Sequence, residues 1–251
     1  MNRFWFVPLV VAVWEALTRF QDDLDFPPPS TIAARMHELW FSGPAARLFL
    51  TDAAVANLLP SLARMFTGWT LAAAAGVLAG ILIGRSRTAL DYVAPLIQFG
   101  RSVPPPLLLP FFFVLLQGSL ATQLAGIVFG VVWPVLLNSI DGARSVEVLQ
   151  IETARVFGLS RAEQIVRVIL PAAAPKVLAG LRLSLSLALI MMVISELFAG
   201  TDGIGYQLLQ AQRSFDTPAV WAAIALLGLL GYLVNSLFVL VERRLLGWQR
   251  A

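Results

Sequence analysis

The chain has no cysteine, one histidine and one lysine. The lack of cysteine excludes disulfide frameworks, thiol nucleophiles and thiolate metal sites. His37 alone cannot form a histidine-clustered metal site, and Lys176 does not lie in the Gly-Lys-Ser/Thr sequence of a Walker A loop. Any chemistry on ATP therefore requires another chain.

Charge is also scarce. Charged residues make up 13% of the 251 residues and hydrophobic residues make up 58%, whereas soluble proteins have about 25% and about 45–50%. The mean hydropathy is +0.79. A chain with so little polar surface is best solvated by lipid, so the composition predicts an integral membrane protein.

Long apolar runs predict an all-α membrane protein with six transmembrane helices in a single domain, because each span needs about 20 apolar residues. The first run resembles a signal peptide, but no small-x-small cleavage site follows it, which favours a retained helix. The third run is interrupted around Pro104-Pro105. The predicted spans are residues 4–20, 65–84, 92–116, 120–140, 183–200 and 217–241 of the domain 1–251.

The second span carries small residues at every fourth position, namely Gly68, Ala72, Gly76, Gly80 and Gly84. This spacing puts them on one helix face and allows another backbone to approach closely, as in helix packing within lipid. The alternative is a helix that is simply rich in alanine and glycine. Both interpretations predict a helix buried among neighbours.

Basic residues are distributed unequally between the two sides of these spans. The net charge is +3, and seventeen of the eighteen basic residues are arginines set mostly between apolar runs, which indicates topology rather than nucleic-acid binding. If the amino terminus is inside, the inner side holds Arg3, Arg85, Arg87, Arg144, Arg155, Arg161, Arg167, Lys176, Arg182, Arg243, Arg244 and Arg250. The outer side holds Arg19, Arg35, Arg47, Arg64 and Arg213. Both termini and the loop 141–182 are therefore expected in the cytoplasm.

The loop 141–182 has the pattern of a helix-turn-helix. Glu147–Phe157 predicts a short helix that stops at Gly158, and Ser160-x-x-Glu163 is a capping box for a second helix that is expected to end before Pro171. DNA binding is disfavoured because the loop is tethered between membrane spans by short connectors. A plain structural loop remains an alternative.

The loop contains the string Glu152-Thr153-Ala154-x3-Gly158-x9-Val168-x-Leu170-Pro171. It resembles the EAA loop of inner-membrane permeases from binding-protein-dependent ABC importers, with Thr153 and Val168 as mild departures. The likeness extends over nearly the whole chain, toward the subfamily that serves nitrate, sulfonate, taurine and related solutes. Its further marks include Phe26-Pro27-Pro28-Pro29-Ser30, Ser61-Leu62-x-Arg64-x3-Gly68 and Gly203-Ile204-Gly205-Tyr206. Leu116-Gln117-Gly118-Ser119 departs from the family's outer turn.

This resemblance implies a non-catalytic permease subunit in the bacterial cytoplasmic membrane, with no cofactor of its own. Its implied partners are membrane lipid, a second permease copy, an external solute-binding protein and a cytoplasmic ATPase dimer that binds ATP and Mg²⁺; nucleic acid is not among them. The residues implied to couple to the ATPase are Glu152, Thr153, Ala154, Gly158, Leu159, Ser160, Leu170 and Pro171.

Two charges are expected at membrane depth, where a charge is costly and usually faces a cavity or a partner. Arg101, with Pro104 and Pro105 in a broken span, and Glu196 are therefore candidate pathway residues, and two Arg101 side chains in a homodimer would suit a small anion. Three alternatives remain. Either residue can snorkel to an interface, Arg101 can stabilise the span end, or Arg101 can pair with Glu196.

Two other classes of function compete with the importer permease. A secondary transporter would need no ATPase, but no internal inverted repeat is evident and the coupling loop would be unexplained. A membrane-embedded enzyme is the weaker alternative, because one histidine and no cysteine leave no convincing pair of nucleophile and base.

Overall fold

The computed structural model describes residues 5–21 and 25–247, and every regular element in these ranges is helical. The expectations for Arg3, Arg250, residue 4 and both termini lie outside the described residues. The α-helices in chain order are α1 (Phe6–Gln21), α2 (Pro29–Met36), α3 (Asp52–Gly84), α4 (Arg87–Ser102), α5 (Leu109–Leu116), α6 (Leu120–Arg144), α7 (Val148–Val156), α8 (Arg161–Gln164), α9 (Leu170–Ala199), α10 (Ile204–Arg213) and α11 (Thr217–Leu245).

Shorter turns of other helix types connect some of these helices. The π-helical turns are His37–Phe41 and Ile165–Ile169, and the 3-10 turns are Ala45–Arg47 and Pro105–Leu108. The all-helical fold that the sequence predicts is confirmed.

In the described residues, four continuous helical segments are long and apolar enough to cross a membrane: 45–84, 120–144, 161–199 and 217–245. A fifth span results if α4 and the segment Pro105–Leu116, which meet at a bend of 85°, are counted together. This bend lies at the predicted break, where successive prolines remove backbone donors and disfavour helical geometry. The helix α1 has 16 residues and is shorter than these segments.

Several element boundaries differ from the expectation. The helix α3 begins at Asp52, thirteen residues before the predicted span, and includes Pro60. The second loop helix was expected to end before Pro171, and this is wrong, because α8, the π turn and α9 form one continuous helical segment. In the π turn the Leu170 N–H bonds to the carbonyl of Ile165, five residues back. The π turn therefore joins α8 to α9, and the helical path continues through Pro171.

The chain divides into two compact units, and the first contains residues 1–63 and 200–232. Its core includes Ile32, Trp40, Leu58, Ile204 and Leu226. On α3, Asn57 Oδ1 accepts a hydrogen bond from the Gly203 N–H at 2.9 Å, and Ser61 Oγ accepts one from the Ile204 N–H at 2.9 Å. These two side chains satisfy backbone donors at the start of α10, which have no partner within that helix.

The second unit contains residues 64–199 and 233–251, and α6 lies at its centre. The predicted small-residue face of α3 packs against α6: a Cβ added at Gly68 would contact Ile127, one at Gly76 would contact Val135, and Ala72 is fully buried. On its other side α6 packs along α9, where Gly142 touches Ala173 and Gly180 touches Asn138. The prediction of close backbone packing at the α3 face is therefore confirmed.

Candidate functional site: coupling loop and buried charges

The turn between α7 and α8 is formed as the sequence predicts. Gly158 has a φ of +75°, a conformation that side-chain-bearing residues rarely adopt. The Gly158 N–H donates to the Arg155 carbonyl at 2.9 Å, and the Leu159 N–H donates to the Ala154 carbonyl at 3.0 Å. These bonds satisfy carbonyls at the end of α7.

The capping box at the start of α8 is also present. Ser160 Oγ accepts a hydrogen bond from the Glu163 N–H at 3.3 Å, and the Ser160 N–H donates to Glu163 Oε2 at 3.0 Å. The hydrogen bonds from the Ser160 backbone and hydroxyl lower the pKa of the Glu163 carboxyl below its ordinary value. The loop therefore has a fixed corner, with both helix ends hydrogen-bonded.

One face of the loop is buried in the second unit. Ile151 and Ile169 pack with Ile81, Ala143 and Val146 in one hydrophobic cluster. Ala154, the last residue of the Glu-Thr-Ala sequence, is also buried. These contacts fix α7 and the π turn that follows α8 on the ends of α3 and α6.

The opposite face of the loop is apolar and exposed. We call the exposed residues Val148, Leu149, Val156, Phe157 and Val166 the loop face. Val156 is 86% exposed and Phe157 is 78% exposed. An exposed apolar patch of this kind marks an interaction surface in a folded protein.

The remaining coupling residues lie around this face. Glu152 and Thr153 are exposed on α7, and the Thr153 hydroxyl donates to the Leu149 carbonyl at 2.7 Å. Leu159 is half-buried at the corner, whereas Leu170 and Pro171 are exposed at the start of α9. The predicted coupling residues from Glu152 to Ser160 therefore lie on α7 and at the corner, whereas Leu170 and Pro171 follow the π turn at the start of α9.

The candidate pathway residues do not form one cluster of contacts. Arg101 is exposed in the last turn of α4, where its Nε donates to Gln98 Oε1 at 2.7 Å. Pro104 precedes the 3-10 turn and Pro105 begins it, at the bend that follows α4. Glu196 lies on α9 and is fully buried.

Glu196 has a basic partner that the sequence reasoning did not assign. Arg64 Nη1 donates to Glu196 Oε1 at 2.8 Å, and the two side chains are 11% and 0% exposed. In the sequence, Arg64 and Glu196 are each a charged residue beside a long apolar run. This pattern could have suggested that the two residues pair. Arg64 was instead counted with the outer basic residues.

No cluster of three or more histidine, cysteine, aspartate or glutamate side chains that could hold a metal occurs among the described residues. The features of the described residues that can bear on function are the helix packing, the loop face and a few charged side chains. Long apolar helices joined by a helical corner with exposed apolar side chains define a helical membrane protein.

Comparison with known proteins gives the family. Residues 75–247 match the family described as the inner membrane component of binding-protein-dependent transport systems, and this chain belongs to that family. The resemblance stated from the sequence is confirmed.

Individual relatives cover almost the whole chain. A protein named as an aliphatic sulfonates transport permease, SsuC of Bacillus subtilis (strain 168), is 33% identical over 97% of this chain and 86% of its own length. The taurine transport system permease protein TauC of Escherichia coli (strain K12) is 29% identical over 96% of this chain and 86% of its own.

A solved structure has a similar fold. A chain of the MetNI methionine ABC transporter, in inward-facing conformations, matches with a TM-score of 0.67 and 18% identity. The match covers 77% of this chain and 96% of that chain. The likeness supports the permease fold.

Proposed function

We propose that this chain is the membrane-spanning subunit of an ATP-driven importer for a small organic or inorganic anion of the sulfonate, taurine or nitrate type. The names of the relatives support this class, since they include a sulfonate, a taurine and a nitrate permease. A second copy of the chain, an external solute-binding protein and two ATPase subunits carrying ATP and Mg²⁺ complete the proposed complex.

The observation that carries this proposal is the loop face on the rigid corner of α7 and α8. The cap at Ser160 and the turn at Gly158 hold the two helices in a fixed geometry, and the buried cluster anchors them to the second unit. A groove on an ATPase subunit would cover the exposed valine, leucine and phenylalanine side chains. Glu152, which is exposed on α7, would pair with a basic residue of the partner.

Coupling follows from a difference in binding between two states. If the ATPase groove moves when nucleotide is bound, the corner moves with it as a rigid body. The permease equilibrium between inward-open and outward-open forms shifts by the difference in binding free energy between those forms. ATP hydrolysis is then carried out by the partner, and this chain transmits its effect.

The orientation proposed for the complex places the loop and both chain ends in the cytoplasm. The arginine and lysine asymmetry of the sequence supports this orientation. The loop face would then meet an ATPase on the side where ATP is available.

The test is the change Phe157→Asp, with Phe215→Asp as a matched control on an exposed phenylalanine outside the loop. The chain is co-expressed with candidate ABC ATPase subunits from the same genome, and affinity co-purification and solute uptake are measured. A carboxylate on the loop face should reduce recovery of the ATPase and uptake by at least about tenfold, because a charge cannot be buried without a partner. Phe157→Asp with normal ATPase recovery and uptake would refute the proposal.

A further inference from the structure

The second unit contains a cavity of about 500 Å³ between the end of α4 and the middle of α6. Polar side chains on one side include Gln98, Arg101 and Asn138, and Leu137 and Leu183 contribute apolar walls. None of its lining residues is acidic. The cavity therefore combines one fixed positive charge with uncharged polar and apolar surface, a combination that suits an anion with a carbon chain.

Arg101 is oriented while most of its donors remain available. Its Nε donates to Gln98 Oε1 at 2.7 Å, one helical turn earlier on α4. In the part of the chain that the structure describes, its two Nη groups have no hydrogen-bond or ion-pair partner. A planar guanidinium held in this way can donate two parallel hydrogen bonds to an oxyanion.

Trp133 contributes an aromatic ring to the same wall. Its indole Nε1 is buried and has no hydrogen-bond partner among the described residues. The ring is fixed by an edge contact with Phe129, with ring centroids 5.4 Å apart, and by Gly100, where an added Cβ would clash with the indole. Because the Nε1 has almost no accessible surface, a ligand in the cavity would meet the face of the ring and not this N–H.

From these observations we infer that the cavity is a binding subsite for the oxyanion head of a small organic sulfonate on the permease itself. The Nη groups of Arg101 donate to the sulfonate oxygens, and the carbon chain lies against Leu137, Leu183 and the Trp133 ring. This inference rests on the proposed import of a small anion. It adds a selective site in the permease, so selection does not depend on the external binding protein alone.

A lipid phosphate could supply the same oxyanion chemistry. The sulfonate is favoured because the cavity also has apolar walls for a short chain and holds a single cation. The test therefore varies the lipid as well as the solute.

The direct measurement is equilibrium dialysis of radiolabelled propane-1-sulfonate against the purified permease and ATPase complex in nanodiscs, without binding protein. Arg101→Gln should weaken binding by at least about tenfold, because it removes charge-assisted hydrogen bonds. Arg101→Lys should retain more of the affinity, since the charge remains. Arg87→Gln, an exposed arginine at the start of the same helix, is the matched control and should bind as wild type does.

All measurements are made in phosphatidylcholine nanodiscs and repeated with phosphatidylglycerol added.

Three results would overturn the subsite: no propane-1-sulfonate binding by the wild-type complex, equal binding by wild type and Arg101→Gln, or loss of binding when phosphatidylglycerol is present. The last result would make a lipid head group the occupant. Uptake by the complete system is measured separately. If the wild-type system imports sulfonate without any binding at this cavity, the importer proposal stands and the subsite fails.

Discussion

At the scale of single residues, the buried pair of Arg64 and Glu196 shows how charge is kept inside an apolar helix bundle. Each group alone would require a large desolvation free energy, and together they form a charge-assisted hydrogen bond of 2.8 Å. Because one partner lies on α3 and the other on α9, the pair also fixes these helices relative to each other within the second unit.

We therefore expect Glu196→Gln to destabilise the protein by about 3–5 kcal/mol, because it removes the carboxylate charge that the Arg64 guanidinium contacts at 2.8 Å inside the bundle. Thermal unfolding in detergent measures the change. The double change Arg64→Gln with Glu196→Gln should recover much of the loss, since no charge is then buried. Glu147→Gln, at an exposed glutamate, is the control. An unfolding temperature for Glu196→Gln equal to that of wild type would contradict the argument.

Gly158 allows a second test at residue scale. Its φ of +75° disfavours valine, and an added Cβ would meet no atom within 4 Å, so the effect of Gly158→Val is purely conformational. The strain of about 1–3 kcal/mol should distort the corner. Uptake and ATPase recovery should fall while membrane insertion persists.

The matched control for this change is Gly228→Val, because Gly228 has equally open space and lies inside the helix α11. It should leave ATPase recovery unchanged. Normal uptake and ATPase recovery in Gly158→Val would count against the role assigned to the corner.

At the scale of elements, the corner of α7 and α8 is stabilised by local hydrogen bonds that a linear sequence can encode. Ser160→Ala removes the acceptor for the Glu163 N–H, and loss of such a cap costs about 1 kcal/mol. Hydrogen exchange at the start of α8 should become about fivefold faster, and ATPase recovery should fall. Exchange is followed by mass spectrometry on the purified complex.

Ser86→Ala is the control for this prediction, because Ser86 caps α4 by accepting from the Ala89 N–H at 3.1 Å. It should loosen the start of α4 and leave ATPase recovery unchanged. If both variants reduced recovery equally, the effect would reflect general destabilisation.

At the scale of the whole molecule, the proposed orientation can be tested because the chain has no cysteine. Val156→Cys places a thiol on the loop face, and Phe215→Cys places one between α10 and α11; the native side chains are 86% and 91% exposed. An impermeant thiol reagent applied to intact cells should label position 215 and not position 156. The reverse pattern would show that the proposed orientation is inverted.

The sequence alone determined the features that depend on neighbouring residues or on composition. Apolar runs predicted the membrane helices, and small residues at every fourth position predicted the packing face of α3. Ser160-x-x-Glu163 together with Gly158 predicted the corner of the loop. These features need only backbone geometry and the exclusion of apolar surface from water, so their signals lie within a few turns of chain.

Tertiary structure decided what depends on distant residues. Glu196 lies 132 positions from Arg64, and nothing in either local pattern selects that partner over Arg101. The π turn before Pro171 likewise joined two helices that the local rule separates, because packing of Ile169 in the core with Ile81 and Ile151 stabilises the continuous path. Which charges pair, and whether a helix continues through a proline, depend on which surfaces meet when the helices pack. The spacing of residues along the sequence does not contain that information.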